Sequence, residues 1–350
     1  MSGSGERSVG KAGIVVAGLA AVAILLHLLR PVASVLLLAF AGVLFAVFID
    51  AVATALVCRT RMPRGSAVAV VVVAVLAVPT LVGVAFGPGI AEQMTDLFRS
   101  LPETWAGVRL WLEGTRWGPG LLAWIPDFRE SLSVWTPSMH GIAVFFGSVF
   151  RGVVAAFLVL VVGIYVALRP SLYVQAALTL VPGARRGRYR EVGLAIRRAL
   201  RRWLVGRLVA MALIGSVVAI GLSIIGVPFP LAFGLIAALL EFVPYIGPVA
   251  AAIPAALVAL AQSPLRAAMT VALFVAVQAL ENCVVSPLVE HRAVHLGPAV
   301  LVATQVLMGV LFGGLGVLLA TPIAVVAVVS VQMLYVQDVL GERTRVLGEV

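Results

Sequence analysis

Two carboxylates lie where carboxylates are costly. Glu241 and Glu281 are two of only five Asp, Glu, Lys or Arg residues among the 130 at positions 208–337, the others being Arg266, Glu290 and Arg292. An ionised side chain in hydrocarbon is expensive, so its retention asks for a functional explanation. Glu241 opens the run Glu241-Phe242-Val243-Pro244-Tyr245-Ile246-Gly247-Pro248. Pro244 and Pro248 lack amide hydrogens and Gly247 permits unusual backbone angles, so several backbone groups lose their helical partners there. In lipid such groups survive only inside protein or beside a water-filled cavity. Gln278, Glu281 and Asn282 form a second polar cluster, with Gln278 one helical turn from Glu281 or Asn282. Counting about 14 residues from Ala267 at 1.5 Å each places Glu281 roughly 21 Å into the bilayer. The chemistry on offer is proton or cation loading, because desolvation favours the neutral form of an acid. Backbone freed around Pro244, Gly247 and Pro248, and around Pro287, Gly297 and Pro298, would hydrogen-bond a small polar solute. The structural alternatives are a proline kink with Glu241 satisfied by a neighbouring helix, and an interhelical hydrogen-bond network around Glu281.

A bilayer must position these residues. With 62% hydrophobic and 11% charged residues and a mean hydropathy of +1.14, the chain holds more apolar surface than a soluble domain can bury. Runs that reach the roughly 20 helical residues needed to cross a membrane recur along it. They predict an all-α polytopic membrane protein of about eight transmembrane helices, broken or re-entrant in the C-terminal half. Residues 1–87 hold a cytoplasmic N-terminus and crossings at 12–29, 31–57 and 65–86, with a tight turn at Met62-Pro63-Arg64-Gly65. Residues 88–140 form an extracytoplasmic amphipathic segment. Ile90, Met94, Leu97, Phe98 and Leu101 share one helical face there, Glu92, Gln93, Asp96 and Arg99 take the other, and Pro102 ends the helix. Trp105, Val108 and Leu112 continue a second short helix, and 114–137 reads as an interfacial loop. Residues 141–168 make the fourth crossing. In the cytoplasmic segment 169–207, Tyr189, Val192, Ile196, Ala199, Leu200 and Trp203 oppose Arg190, Arg197, Arg201 and Arg202. That basic amphipathic helix suits anionic headgroups or packing beneath the membrane domain. Residues 208–337 form a C-terminal module with runs at 208–226, 231–262, 267–285 and 296–337, the last interrupted by Gly313, Gly314, Gly316 and Pro322. The run 231–262 is too long for one straight helix and too short for two crossings. Residues 338–350 are a cytoplasmic tail.

The net charge of +10 is carried almost wholly by arginine, 24 of 25 basic residues, in short segments between apolar runs. Membrane topology explains that pattern better than nucleic acid does. Arg7 and Lys11, then Arg59, Arg61 and Arg64, then ten arginines from Arg169 to Arg207 mark the cytoplasmic side, whereas 92–130 has six acids against four arginines. Both termini fall on the cytoplasmic side, and the first run, lacking a cleavage site, reads as an uncleaved signal anchor. Cys58 and Cys283 imply no disulfide. His291 and His295 have helical metal-pair spacing without further ligands, so no metal site or cofactor is assigned. Gly313-Gly314-Leu315-Gly316 follows no strand and is not a phosphate loop. No nucleophile, base and orienting group occur together, so no catalytic residues are assigned and an enzyme is the weakest reading. His27 and Asp50 lie near the ends of their runs, within reach of water. Gly83 with Gly87, and Gly309 with Gly313, have the spacing that lets membrane helices approach closely and would permit a homo-oligomer.

The succession Phe242-Val243-Pro244-Tyr245-Ile246-Gly247-Pro248 with Ile253-Pro254, Leu280-Glu281-Asn282 with Pro287, Leu296-Gly297-Pro298, Leu311-Phe312-Gly313-Gly314-Leu315-Gly316 and Ala320-Thr321-Pro322 resembles the autoinducer-2 exporter family of bacterial permeases. The likeness runs over roughly residues 15–335 and includes the Pro63-Arg64-Gly65 turn and the basic helix. It departs at Ala51, where members often have proline, and at Glu290-His291. The resemblance implies a secondary transporter, exporting the furanosyl signal autoinducer-2 in some members and exchanging sodium or lithium for protons in others. An internal echo, Glu241, Pro244 and Gly247-Pro248 against Glu281, Pro287 and Gly297-Pro298, suggests two discontinuous helices meeting near a substrate site. The expected function is export of a small polar, autoinducer-2-like solute coupled to an ion gradient, with Glu281, Glu241, Asn282 and Gln278 at the coupling site. Sodium (lithium)/proton antiport and a non-transporting membrane scaffold are the alternatives. The partners expected are that solute or a monovalent cation or proton, and the lipid bilayer, with no nucleic acid.

Overall fold

The computed structural model describes the backbone of residues 5–115, 120, 139–285 and 297–342, and their side chains apart from 5–31, 79, 98, 101, 102, 111, 139–151, 284 and 285. All regular structure among the described residues is helical, as lipid demands of a chain with no closed barrel. Helix α1, Gly5–Thr60, is continuous. The expected turn at Arg30-Pro31 is therefore missing, and runs 12–29 and 31–57 are not antiparallel neighbours. A proline deletes one helical hydrogen bond, which costs less in hydrocarbon than exposing a whole turn of backbone. The same holds for α2, Arg64–Glu113, which passes Pro79, Pro88 and Pro102 without ending. Its expected apolar face is real: Leu97, Val108 and Leu112 are buried, and Leu97 packs with Ile214, Val218, Leu222 and Phe233.

Helix α3, Met139–Leu168, ends at Arg169, and α4, Pro170–Thr179, leaves it at 90°. Helix α5, Arg186–Ile225, fuses the basic amphipathic helix to the run expected to begin at 208, with no break at Arg207. Gly226 caps it at φ +78, a left-handed conformation that glycine adopts freely.

Two broken elements follow. Helix α6, Pro230–Leu240, has 11 residues, about 16 Å at 1.5 Å each and half a bilayer. The chain then turns at Tyr245 (φ 65, ψ −51), where the Ile246 amide donates to the Pro244 carbonyl at 2.8 Å, a strained γ-turn. Helix α7, Ile246–Gln262, returns alongside. A Cβ on Gly247 would stand 1.9 Å from the Leu240 carbonyl oxygen, so only glycine permits this approach. Helix α8, Pro264–Leu280, runs into a π turn at Glu281–Val285. Helix α9, Pro298–Val331, is folded at Gly313 (φ 64, ψ −149) and ends in a π turn, Gln332–Gln337. The fold is sharp: a Cβ on Gly316 would lie 2.1 Å from the Met308 carbonyl oxygen, though eight residues span about 12 Å along a straight helix.

Among the described residues, five helices are long and apolar enough to cross a bilayer, or six with the bent α3–α4 pair counted as one span. The run 12–29 lies outside that count, and 231–262 is a hairpin of two shorter apolar helices. Helices α5 and α6 approach through glycine: Cβ atoms on Gly215 and Gly234 would lie 2.5 and 2.6 Å from the Ala238 and Ala219 methyls. Such contacts supply dispersion where lipid removes the hydrophobic drive for association.

Candidate functional site: an arginine between two carboxylates

Arg207 leaves α5 one turn after Trp203, whose ring meets Phe242 edge-on at 5.6 Å between centroids. Its Nη2 lies 2.8 Å from Glu241 Oε1 and its Nη1 2.9 Å from Glu281 Oε1. All three residues are buried, with 7%, 0% and 8% of their surface exposed for Arg207, Glu241 and Glu281. The two carboxylates are held differently. Glu281 accepts from Arg207 and, at 2.7 Å, from Gln278 Nε2. Glu241 meets Arg207 Nη2 at 2.8 Å in a poorly aligned contact and has no second donor such as the one Gln278 gives Glu281. Beside them is a cavity of about 10 Å³ lined by Glu241, Glu281, Gln278, Pro248, Phe274 and Val277 among others. That is about the space one water needs. Two carboxylates facing one guanidinium leave an excess negative charge when all are ionised, and burial makes that excess expensive.

The elements that fix this geometry are the broken ones. Glu241 is the C-cap of α6, and close α5–α6 packing sets its distance from Arg207. Glu281 opens the π turn after α8, a local widening of the helix often found at functional sites. Fully buried Gln305, on the first arm of α9, donates from Nε2 to the Pro244 carbonyl at 3.0 Å and joins the two hairpins. Gln93 on α2 accepts from the Leu231 and Ala232 amides at 3.1 and 3.2 Å. It thereby satisfies two orphan donors at the start of α6.

The family model described as "AI-2E family transporter" matches residues 13–335. The chain belongs to the AI-2E transporter family. Among its relatives is YueF of Bacillus subtilis (strain 168), 24% identical over 299 residues, covering 81% of this chain and 79% of that one. YrrI of the same organism is 30% identical over 137 residues, 39% of this chain and 38% of its own. MT0215 of Mycobacterium tuberculosis (strain CDC 1551 / Oshkosh) is 40% identical over 103 residues, 29% and 28% of the two chains. All three are classed by name alone as transport proteins, with no cargo stated. The AI-2E chain is thus a membrane transporter, as its motifs implied.

In this AI-2E transporter the structure brings together Glu241, Glu281, Gln278 and Pro248, while Pro244 and Gly247 form the turn that delivers them. The Pro244 carbonyl is engaged by Ile246 and Gln305 rather than left open. Asn282 is exposed, away from the cavity. Gly297 and Pro298 are the N-cap and first residue of α9. Pro287, Glu290, His291 and His295 lie outside the described residues. Sequence reasoning missed Arg207 by grouping it with the cytoplasmic arginines. The signal was there: the face Val192, Ile196, Ala199, Leu200 and Trp203 continues, four residues on, to Arg207. It also left Asp50 in reach of water, whereas Asp50 is buried, accepting from Arg64 Nη2 at 2.7 Å and from Arg197 Nη2. Gly309 needs no second chain to explain it, since a Cβ there would lie 2.9 Å from Val317 within the α9 fold.

Proposed function

We propose that this AI-2E family member is an ion-coupled secondary transporter of the bacterial plasma membrane, with both termini cytoplasmic. Its coupling ion is a proton or monovalent cation that neutralises the excess charge on Glu241, Arg207 and Glu281. The observation that carries this reading is the pair of buried carboxylates sharing one guanidinium beside a water-sized cavity. Glu241, whose contact with Arg207 is poorly aligned and which has no second donor, takes the ion, while Glu281 and Gln278 hold Arg207 in place. A proton and a cation satisfy the same charge and so exclude one another, which is the requirement for exchange. The cargo is a small polar solute of the autoinducer-2 type, whose export is driven by the coupling ion moving down its gradient.

The cavity size favours a second reading, in which sodium or lithium is itself exchanged for protons. Proteoliposomes with imposed proton and sodium gradients, with and without the solute, separate the two. Proton flux that needs the solute supports the first, and proton flux driven by sodium or lithium alone supports the second. In either case Glu241→Gln and Glu281→Gln proteins that still assemble are expected to lose pH-dependent flux. Unchanged flux in both would remove the coupling role, and no flux of any kind would favour a scaffold.

A further inference from the structure

Where α4 turns away from α3, an open groove of about 620 Å³ lies between α1, α3, α4 and α5. Its size falls within the roughly 300–1,000 Å³ of small-molecule sites. Val43, Val47, Val174, Leu178, Leu194 and Leu200 give it an apolar floor, and Arg190 and Arg197 stand at its rim. Asp50, which also lines it, is already engaged by Arg64 and Arg197. Arg190 has no ion pair among the described residues, so the rim keeps a positive excess. The space is open: a Cβ on Gly193, a lining residue, would meet nothing within 4 Å. The groove sits at the 90° bend between α3 and α4, next to the arginine-rich segment 169–207.

We propose that this groove binds one anionic phospholipid of the arginine-rich leaflet, its acyl chain on the apolar floor and its phosphate at Arg190. The charge decides the occupant. A zwitterionic headgroup would bring its own cation to the arginine rim, and an uncharged apolar segment would leave the rim unanswered. The proposal is independent of the ion-coupling reading.

The test uses the full chain purified in a neutral detergent, given equal amounts of phosphatidylglycerol and phosphatidylcholine with identical acyl chains, and read by native mass spectrometry. One phosphatidylglycerol per chain is expected, retained over phosphatidylcholine by about fivefold or more, the factor one basic residue contributes beside an anionic lipid. Arg190→Gln should lower that preference about fivefold. Arg198→Gln removes the same charge from an exposed position on α5 outside the groove and should leave it unchanged. Gly193→Leu adds an apolar side chain to the lining where a Cβ meets nothing within 4 Å and improves helix propensity, so it should fold and retain less phosphatidylglycerol. Equal retention of the two lipids, equal losses in Arg190→Gln and Arg198→Gln, or full retention in Gly193→Leu would overturn the proposal. So would a dimer that forms as lipid is lost, which would make a second copy of the chain the occupant.

Discussion

Two of the three-residue ionic clusters among the described residues share a layout but carry opposite excess. At one, two arginines, Arg64 and Arg197, converge on Asp50; at the other, two carboxylates, Glu241 and Glu281, converge on Arg207. The first keeps its guanidiniums 52% and 44% exposed, so water and salt absorb the surplus positive charge. It straps α1, α2 and α5 together. The second has no side chain more than 10% exposed, so its surplus negative charge has no solvent to absorb it. Where the imbalance is hydrated it needs no further partner; where it is sealed, the proposed coupling ion would meet it.

The sharpest way to break this contrast is Arg207→Gln. Removing one partner of a buried ion pair costs about 3–5 kcal/mol, which thermal unfolding in detergent would register as the largest loss among these variants. Adding Glu241→Gln to it returns the cluster to one net negative charge and should recover more than half of that loss. A double variant no more stable than the single one would refute the charge count. Next is Glu241→Gln alone, which leaves a neutral Arg207–Glu281 pair: the protein should assemble, with flux reduced by about tenfold or more, equivalent to at least 1.4 kcal/mol, and flat against pH. Asp50→Asn should matter less, about 1 kcal/mol, because both arginines it releases reach solvent. Its effect should shrink as salt rises, whereas that of Arg207→Gln should not. Arg64→Gln should be smallest, about 0.5 kcal/mol or less, since Arg197 still pairs with Asp50.

The sequence made the carboxylates legible because charge is rare in apolar runs, and made the 244–248 break legible because proline and glycine have fixed backbone consequences. Gln278 was readable for a similar reason, one turn from Glu281. Arg207 was not, since its partners are 34 and 74 positions away and local charge density resembles that of a cytoplasmic segment. Helix continuity through Pro31, Pro88 and Pro102 was hidden because proline weakens a helix locally, while the membrane penalises every alternative to it. Gln93 and Gln305 gave no signal at all. Each cap or brace depends on a backbone group from a distant hairpin, and only the packed fold shows which amide or carbonyl needs a partner.

Helix α5 contributes to both clusters, Arg197 to one and Arg207 to the other, with unbroken helix between them. Ten residues of helix set them roughly 15 Å apart with a fixed angular phase. The helix therefore acts as a torsion shaft: it cannot roll at the Asp50 strap without swinging the guanidinium that divides Glu241 from Glu281. One alanine inserted between Arg197 and Arg207 would advance that phase by about 100°, and the strap could stay fastened while the sealed cluster lost its cation.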